Sequence, residues 1–208
     1  MDYLNDMIEE YKRPVWEMVN FKEGALRGET QKSHPRRLRE GWYEKFCPAD
    51  QNGLDIGCGP DPIHEHFDRW DVELGHGDAM YLDGVPPNKY HTVYTSHLLE
   101  HIMFPTMAVT RWFRAVAPGG HLIICVPHRD LFEKQTHLPS RWNPDHKFLW
   151  LPDQEEPPFT KSLLKVAQDA ISDANIVSLR VLDDGYDPHE SHQHPSGEYS
   201  IEIILKKA

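Results

Sequence analysis

The segment around the first pair of glycines constrains the fold more than any other part of the sequence. A short apolar stretch at residues 54–56 (LDI) runs directly into residues 57–59 (GCG), and Pro60 and Pro62 follow. Glycine lets a backbone turn sharply and approach a ligand closely because it has no Cβ atom. A buried strand that opens into such a turn predicts a nucleotide-type ligand at the end of the strand.

The residues after this turn exclude two common nucleotide sites. The third glycine of the dinucleotide fingerprint would fall at Pro62, which disfavours NAD and FAD, and GxxxxGK[ST] does not occur, which excludes a P-loop. Asp61 precedes a proline and is therefore pushed away from helical geometry. Asp68 follows Gly59 by only nine residues, whereas a strand–helix–strand crossover takes about a dozen or more. We therefore expect the first helix to be shortened to a turn.

The remaining apolar pattern predicts an α/β fold built on a mostly parallel sheet. Strand-like runs at 91–95 and 121–126 flank a helical pattern at 107–116, which indicates parallel strands covered on both faces. Two further strands are expected at 176–182 and 199–205. No helix fits between them, so they should pair antiparallel.

The chain divides into a helical segment, a core and one long loop. Residues 1–48 carry helical patterns at 1–20 and 34–47 and are expected to pack on a core domain at 49–208. Residues 160–174 form the clearest helix, which Thr160 or Ser162 can cap. The stretch at about 127–159 is rich in proline and lacks periodicity, and a loop this long in a compact domain is usually functional or disordered.

Composition limits the partners and the compartment. The net charge is −11 over 208 residues, which disfavours nucleic acid because its phosphates would be repelled. No run of 18 apolar residues predicts a membrane span, and the acidic N-terminus lacks the apolar region of a signal peptide. Three scattered cysteines fit a reducing cytoplasm better than a disulfide framework. We expect a cytoplasmic protein, and the sequence is compatible with either a monomer or an oligomer.

Four segments, in this order, carry a resemblance to a known family. They are GLDIGCG, GDAMYLDGVP, YHTVYTSHLLEHI and AVAPGGHLIICVP. Together they resemble the ordered motifs of class I S-adenosylmethionine-dependent methyltransferases, over about residues 50–208. This resemblance implies a Rossmann-like, seven-stranded, mostly parallel sheet with an antiparallel last strand. More narrowly, PSRWNPDHKFLW and the ending DDGYD…GEYSIEIILKK resemble small bacterial methyltransferases often associated with polysaccharide-synthesis genes.

The resemblance also implies S-adenosylmethionine as cofactor and gives roles to individual residues. In the family, the glycine turn approaches the methionine end of the cofactor, with an acid behind it that receives the ammonium group. A second acid, at the end of the second strand, accepts the ribose hydroxyls, and a third accepts the adenine amino group. On this sequence the cofactor-binding residues would be Asp55, Gly57, Gly59, Asp68 (or Asp71, because the register is not readable), Asp78, Ala79, Ser96 and His97.

The acceptor site is expected in the loop at 127–159, because ligands bind at the carboxyl ends of the strands in such folds. A hydroxyl acceptor benefits from a base that removes its proton. We expect His146 to be this base, Asp145 to orient it, and His128 to be the second candidate. Arg141 and Lys147 could hold an anionic acceptor. The expected reaction is O-methylation of a small-molecule or glycan-type acceptor, with N-methylation of an amine or amino sugar as the alternative.

Two alternative functions that do not involve methyl transfer remain compatible with the sequence. His97-Leu98-Leu99-Glu100-His101 matches HxxEH, in which two histidines four apart on a helix would bind one zinc ion as in zinc hydrolases. A match of five residues arises easily in a chain with 14 histidines, so no metal is expected. The chain could also be a methyltransferase-like protein that binds the cofactor without catalysis.

Overall fold

The structure is a computed structural model, and it describes residues 28–173, 175–189 and 197–208. The helical pattern at 1–20 lies outside this range. The described helices are α1 (Glu29–Arg39), α2 (Trp42–Phe46), α3 (Pro105–Ala115) and α4 (Leu163–Ala170), with a short 3-10 helix at Leu99–His101 and a π-helical turn at Arg129–Glu133. The strands are β1 (Gly53–Ile56), β2 (Phe67–Trp70), β3 (Tyr90–Ser96), β4 (Val116–Pro127), β5 (Leu149–Leu151), β6 (Thr160–Ser162), β7 (Asn175–Leu182) and β8 (Ser200–Lys206).

The central sheet confirms the expected α/β architecture. Its strand order is β2-β1-β3-β4-β8-β7. The first four strands run parallel, and β8 pairs antiparallel with both β4 and β7. The expected antiparallel pairing of the last two strands is therefore confirmed. β5 and β6 form a separate parallel pair.

The expected number of seven strands is wrong, because the central sheet has six among the described residues. A further strand outside β2 would have to come from residues 71–89. That stretch contains three glycines with positive φ, and Leu82 and Asn88 also adopt positive φ. Each such residue turns the chain away from an extended course, so β2 stays at the edge of the sheet.

Helices cover both faces of the sheet, as near-continuous apolar strands require. On one face, α3 and α4 bury Val109, Trp112 and Val166 against alternate residues of β1, β3, β4 and β8. On the other face, α2 buries Trp42 and Phe46. The two apolar faces together form the core of the domain.

The first helix of the ligand-binding unit is absent, as expected from Pro62 and the short interval. Residues 57–66, all within the described range, form turns and no helix, and β2 starts at Phe67. The carboxylate of Asp55 accepts a hydrogen bond from the Ile63 N–H at 2.7 Å. This bond fastens the turn to the strand that precedes it.

Two other helices differ from their expected bounds. The pattern at 34–47 is divided at Gly41, whose φ is +62°, so α1 and α2 are separate helices. The last helix starts at Leu163 and not at residue 160, because Thr160–Ser162 pairs with β5. Ser162 caps it by accepting a hydrogen bond from the Lys165 N–H at 3.0 Å.

None of the helices in the described part of the chain has the length and apolar character needed to cross a membrane. The division of the chain at residue 48 stays a prediction.

Candidate active site

The carboxyl ends of the parallel strands bring the sequence motifs to one edge of the sheet. Ile56, the last residue of β1, lies beside Trp70 of β2 and Thr95 of β3. The residues that follow these three strand ends are therefore neighbours. They are the glycine turn at 57–59, the acid Asp71, and the pair Ser96 and His97.

The two glycines of the turn serve different purposes. Gly57 has φ +69°, and a Cβ at this position would lie 2.8 Å from the Leu98 side chain. Gly59 has φ +49°, but a Cβ there would meet no atom of the described residues within 4 Å. Gly57 is therefore needed for packing within the protein, whereas Gly59 faces open space beside the turn.

A buried carboxylate, that of Asp55, lies behind the turn, and a partly buried one, that of Asp61, lies beside it. Asp55 is 2% exposed, and burial raises its pKa to about 7. Burial also raises the pKa of Asp61 to about 6. One oxygen of Asp61 accepts a bond from the Gln31 N–H, and the other is buried without a partner among the described residues. Asp61 was not predicted, because a carboxylate beside a proline reads as an ordinary turn residue.

The assignment of Asp68 to the cofactor ribose stays a prediction, but the contacts of this side chain favour the alternative, Asp71. Asp68 lies two residues before the end of β2, and its carboxylate bonds to Lys89 Nζ at 2.9 Å and to the Tyr90 hydroxyl at 2.8 Å. Asp71 follows the end of β2 directly, and its carboxylate accepts the Gly59 N–H at 2.9 Å. The carboxylate beside the glycine turn is therefore that of Asp71, the alternative left open by the sequence.

The adenine-side segment lies in the turns after β2. Asp78 is exposed, and its carboxylate accepts the Met80 N–H at 2.8 Å. The carbonyl of Ala79 accepts a hydrogen bond from Trp112 Nε1 at 2.8 Å. This bond ties the segment to α3 and leaves the Asp78 carboxylate at the surface, where it stays a candidate for the adenine amino group.

His97 is held tightly at the end of β3. Its backbone has φ +52°, which is uncommon for a residue with a side chain, and its N–H bonds to the Cys125 carbonyl at 3.0 Å. The Nε2 atom bonds to the Ser200 hydroxyl at 2.8 Å. Burial lowers the pKa of His97 to about 4, so the ring is neutral near pH 7.

The expected pair of His146 and Asp145 does not form. His146 Nδ1 instead bonds to Glu133 at 2.6 Å, and both side chains are buried. Asp145 bonds to His101 Nδ1 at 2.9 Å and to Lys147 Nζ at 2.6 Å. The loop thus forms two imidazole–carboxylate pairs where one was predicted.

The two pairs bring three further residues into the acceptor site that the sequence did not predict there. They are Glu100, His101 and Glu133. The rings of His101 and His146 lie 4.8 Å apart between centroids. Lys147 N–H bonds to the Glu100 carbonyl at 2.7 Å, which holds the loop against the 3-10 helix. The HxxEH match is the sequence signal that points to Glu100 and His101.

His128 is a poor candidate for a base. Its Nδ1 accepts a hydrogen bond from the Asp130 N–H at 3.1 Å. The neutral ring must then carry its proton on Nε2, which leaves no free lone pair to take a proton.

Arg141 is exposed, with its guanidinium over the Trp142 ring, and Lys147 is already paired with Asp145. Their roles in binding an anionic acceptor stay predictions.

The N-terminal helix α1 borders the same edge of the sheet. Arg36 and Ser33 both bond to the buried carboxylate of Glu198, at 2.8 Å each for Arg36 Nε and the Ser33 hydroxyl. Lys32 lies over the Tyr199 ring, and Tyr199 contacts His97 ring to ring. The helix therefore forms one wall of the site.

Comparisons with known proteins agree with this architecture. A family model described as a methyltransferase domain matches residues 31–158. Among solved structures, an S-adenosylmethionine-dependent methyltransferase from Archaeoglobus fulgidus shares 16% identity at a TM-score of 0.51, covering 88% of this chain and 96% of its own. One from Mesorhizobium loti shares 13% at a TM-score of 0.51, covering 89% and 99%. The cyclase SpnF shares 16% at a TM-score of 0.52, covering 90% and 85%.

No curated protein sequence matches the chain. The structural likenesses show the fold, and the family match covers well over half of the chain. The fold and site define a Rossmann-like methyltransferase. The chain belongs to the methyltransferase-domain family, and at that level the expectations of an enzyme and of S-adenosylmethionine as its cofactor are confirmed. This result speaks against the zinc-hydrolase and non-catalytic alternatives.

The residues present fit this cofactor. The space over Gly59 would accommodate a ligand close to the backbone. The unpartnered oxygen of Asp61 is an acceptor for an ammonium group. Asp71 follows β2 and holds a carboxylate against the Gly59 N–H, where it would be available to ribose hydroxyls. Carboxylates on three sides of a glycine turn suit a ligand with a positive amino-acid end and a diol.

Proposed function

We propose that the protein transfers a methyl group from S-adenosylmethionine to an oxygen atom of a small-molecule or glycan-type acceptor. The observation that carries this proposal is the pair of imidazoles at the acceptor side, each held at Nδ1 by a carboxylate. A hydroxyl must lose its proton during transfer, and an oriented imidazole is suited to accept it. An amine needs only to be neutral at the start.

The cofactor supplies a methyl group already activated by its sulfonium charge, so the protein mainly binds and aligns. Asp55 and Asp61 would receive the ammonium group, and Gly57 and Gly59 would give the backbone access to the methionine end. Asp71 would hold the ribose. Asp78, with the Ala79 N–H, would hold the adenine, and Ser96 and His97 would border its other edge.

His101 is the residue best suited to take the acceptor proton. Burial lowers its pKa, and the bond to Asp145 opposes that effect only in part, so the ring is neutral at pH 7. Asp145 occupies Nδ1 and thereby leaves the lone pair of Nε2 available. The side chain is 25% exposed, whereas that of His146 is 4% exposed. His101 is therefore the easier one for an acceptor to reach.

The class of acceptor is inferred from the resemblance of the sequence and from charge. The narrower resemblance to methyltransferases found with polysaccharide-synthesis genes favours a sugar hydroxyl. Arg141 is exposed at the rim of the loop and would contact an anionic group on such an acceptor. The net charge of −11 favours a small or neutral acceptor over nucleic acid.

The test is a methyl-transfer assay with labelled S-adenosylmethionine against matched alcohols and amines, including sugars and amino sugars. We expect transfer to a hydroxyl, with kcat lowered about 100-fold or more in His101→Gln, the scale of a lost proton acceptor. His91→Gln, at the start of β3, is the matched control and should leave the rate unchanged. Transfer only to amines, with His101→Gln fully active, would favour N-methylation instead.

A further inference from the structure

We propose that Glu100, His101 and His146 form a binding site for one divalent transition-metal ion at the acceptor side of the sheet. Each residue offers one ligand atom, and these atoms all lie within 4.8 Å of one another. An ion at the centre of such a triangle would lie at most about 2.8 Å from each atom. Zinc bonds to nitrogen and oxygen are about 2.0–2.2 Å long, so the side chains need to close by less than about 1 Å.

The two histidines are already oriented as metal ligands. Metal-binding histidines usually donate the N–H of the other ring nitrogen to a carboxylate, which fixes the tautomer and aims the free lone pair. His101 and His146 both show this arrangement, with Asp145 and Glu133 as the carboxylates at 2.9 Å and 2.6 Å. Both rings are thereby left with Nε2 as the ligand atom.

The third member is a buried acid, one oxygen of which has no hydrogen-bond partner among the described residues. Glu100 is 1% exposed, and its Oε2 has no hydrogen-bond partner among the described residues. The other oxygen lies 3.9 Å from His101 Nε2 and 3.9 Å from His97 Nδ1. Glu133 is a second buried carboxylate nearby. Glu133 already has partners in Ser140 and His146, whereas a bound cation would give the Glu100 carboxylate the partner that a buried charge needs.

The ligand set defines the class of ion. Two imidazoles and one carboxylate are the donors of catalytic zinc sites and of other first-row transition-metal sites, whereas magnesium and calcium prefer oxygen ligands alone. Only Glu100 and His101 of the HxxEH match are therefore ligands in the proposed site. His146 from the loop, and not His97, completes the group of ligand atoms that lie within 4.8 Å of one another. The inference departs from our expectation of no metal.

The site has a consequence that rests on the proposed function. Three protein ligands leave at least one position open on a four-coordinate ion, as in catalytic zinc sites. His101 is 25% exposed, so an acceptor would reach the ion from the side of this residue. An acceptor oxygen bound there would become more acidic, and His101 would then act as a metal ligand and not as the base itself.

The experiment is a titration of the full chain, first freed of metal with a chelator, with Zn²⁺, Mn²⁺ and Mg²⁺. We expect one strong Zn²⁺ site per chain, weaker Mn²⁺ binding and no stoichiometric Mg²⁺ binding. The isosteric Glu100→Gln should weaken Zn²⁺ about 100-fold or more, and Asp145→Asn about 10- to 100-fold. With Co²⁺ in place of Zn²⁺, visible absorption bands should appear and be lost in Glu100→Gln.

The matched control is His64→Gln/His66→Gln, because these rings also lie close together, 4.1 Å apart between centroids. This double variant should keep the strong site. The inference is overturned if the folded wild type binds no stoichiometric Zn²⁺, or if the site survives Glu100→Gln and is lost in the control. S-adenosylhomocysteine binding to the same metal-free protein is measured in parallel. Cofactor binding without a metal site refutes this inference alone, and absence of cofactor binding refutes the proposed function.

Discussion

At the scale of single residues, the position of a carboxylate relative to a strand end decides its role. Asp68 and Asp71 are three residues apart, but only Asp71 reaches the glycine turn. Asp68 is engaged by Lys89 and Tyr90 at the outer edge of the sheet. The pair therefore offers a direct comparison of an acid within β2 and an acid just after its end.

We predict that Asp71→Asn weakens S-adenosylhomocysteine binding about tenfold or more, whereas Asp68→Asn leaves it within about twofold. The loss corresponds to a charge-assisted hydrogen bond to ribose, about 1.5–3 kcal/mol. Calorimetric titration of both variants measures the effect. The reverse order of sensitivity would return the ribose to Asp68.

The raised pKa of Asp55 predicts a pH dependence of cofactor binding. In the free protein this carboxyl loses its proton only near pH 7, whereas pairing with an ammonium group favours the charged form. Binding should therefore release a proton below pH 7 and tighten about tenfold between pH 6 and pH 8. Calorimetry in buffers of different ionisation enthalpy measures the released proton.

Asp55→Asn should remove this dependence while keeping an acceptor for the Ile63 N–H. If Asp61 is the group that pairs with the ammonium, the dependence should survive in Asp55→Asn and centre near pH 6, because burial raises the pKa of Asp61 to about 6. Affinity that does not change with pH would contradict both assignments.

The sequence identified the motif residues but could not identify their partners. Asp145 and His146 are adjacent in the chain, which made them a plausible pair, but neighbours in an irregular loop point in different directions. Glu133 lies 13 residues before His146 and meets it only because the π-helical turn folds the loop back. Contacts of this kind depend on loop geometry, which has no periodic signal.

At the scale of elements, the two glycines of the turn are required for different reasons. Gly57 is needed for packing against Leu98, and we expect Gly59 to be needed for ligand access. Gly57 and Gly59 both have positive φ, so either alanine variant should cost about 1–2 kcal/mol of backbone strain. Only Gly57→Ala also places a methyl group against Leu98.

We therefore predict that Gly59→Ala keeps the free energy of unfolding within about 2 kcal/mol of the wild type and binds S-adenosylhomocysteine at least about tenfold more weakly. Gly57→Ala should lose clearly more stability in urea unfolding. A Gly59→Ala variant with unchanged affinity would show that the open space beside this glycine is not the cofactor site.

Elements with a strong apolar period were predictable, and irregular ones were not. Trp112 and Val109 place α3 on the sheet by their spacing, and Ser162 marks the start of α4 by its capping hydroxyl. The shortened first helix was readable from Pro62 and the nine-residue interval. The break at Gly41 was not, because an apolar pattern continues across it.

At the scale of the whole molecule, the family resemblance correctly predicted a mostly parallel sheet with an antiparallel last strand. It predicted seven strands, whereas the described sheet has six. The loss of an edge strand does not disturb the other pairings, since β1, β3, β4 and β8 form the interior of the sheet. Residues 71–89 contain glycines and prolines that could have indicated this loss. The antiparallel last pair was predictable because residues 183–199 are too polar and irregular for a crossover helix.

Ligand binding should stabilise the entire domain, because the site is assembled from β1, β2 and β3 together. We predict that S-adenosylhomocysteine at 100 times its Kd raises stability by about 2.7 kcal/mol, or Tm by about 5–10 °C for a chain of this size. NAD at the same concentration is the control and should not change Tm, because Pro62 replaces the third glycine. A shift with NAD alone would contradict the methyltransferase assignment.

The missing first helix has an electrostatic consequence. A helix after the glycine turn would direct the positive end of its dipole at the ligand, but residues 57–66, all of them described, form only turns. Three carboxylates, those of Asp55, Asp61 and Asp71, lie at this turn, and in their ionised form they attract cations. A sulfonium ligand is positively charged at sulfur and its demethylated product is not, so we expect this edge of the sheet to hold the methyl donor more firmly than the product and thereby to favour product release.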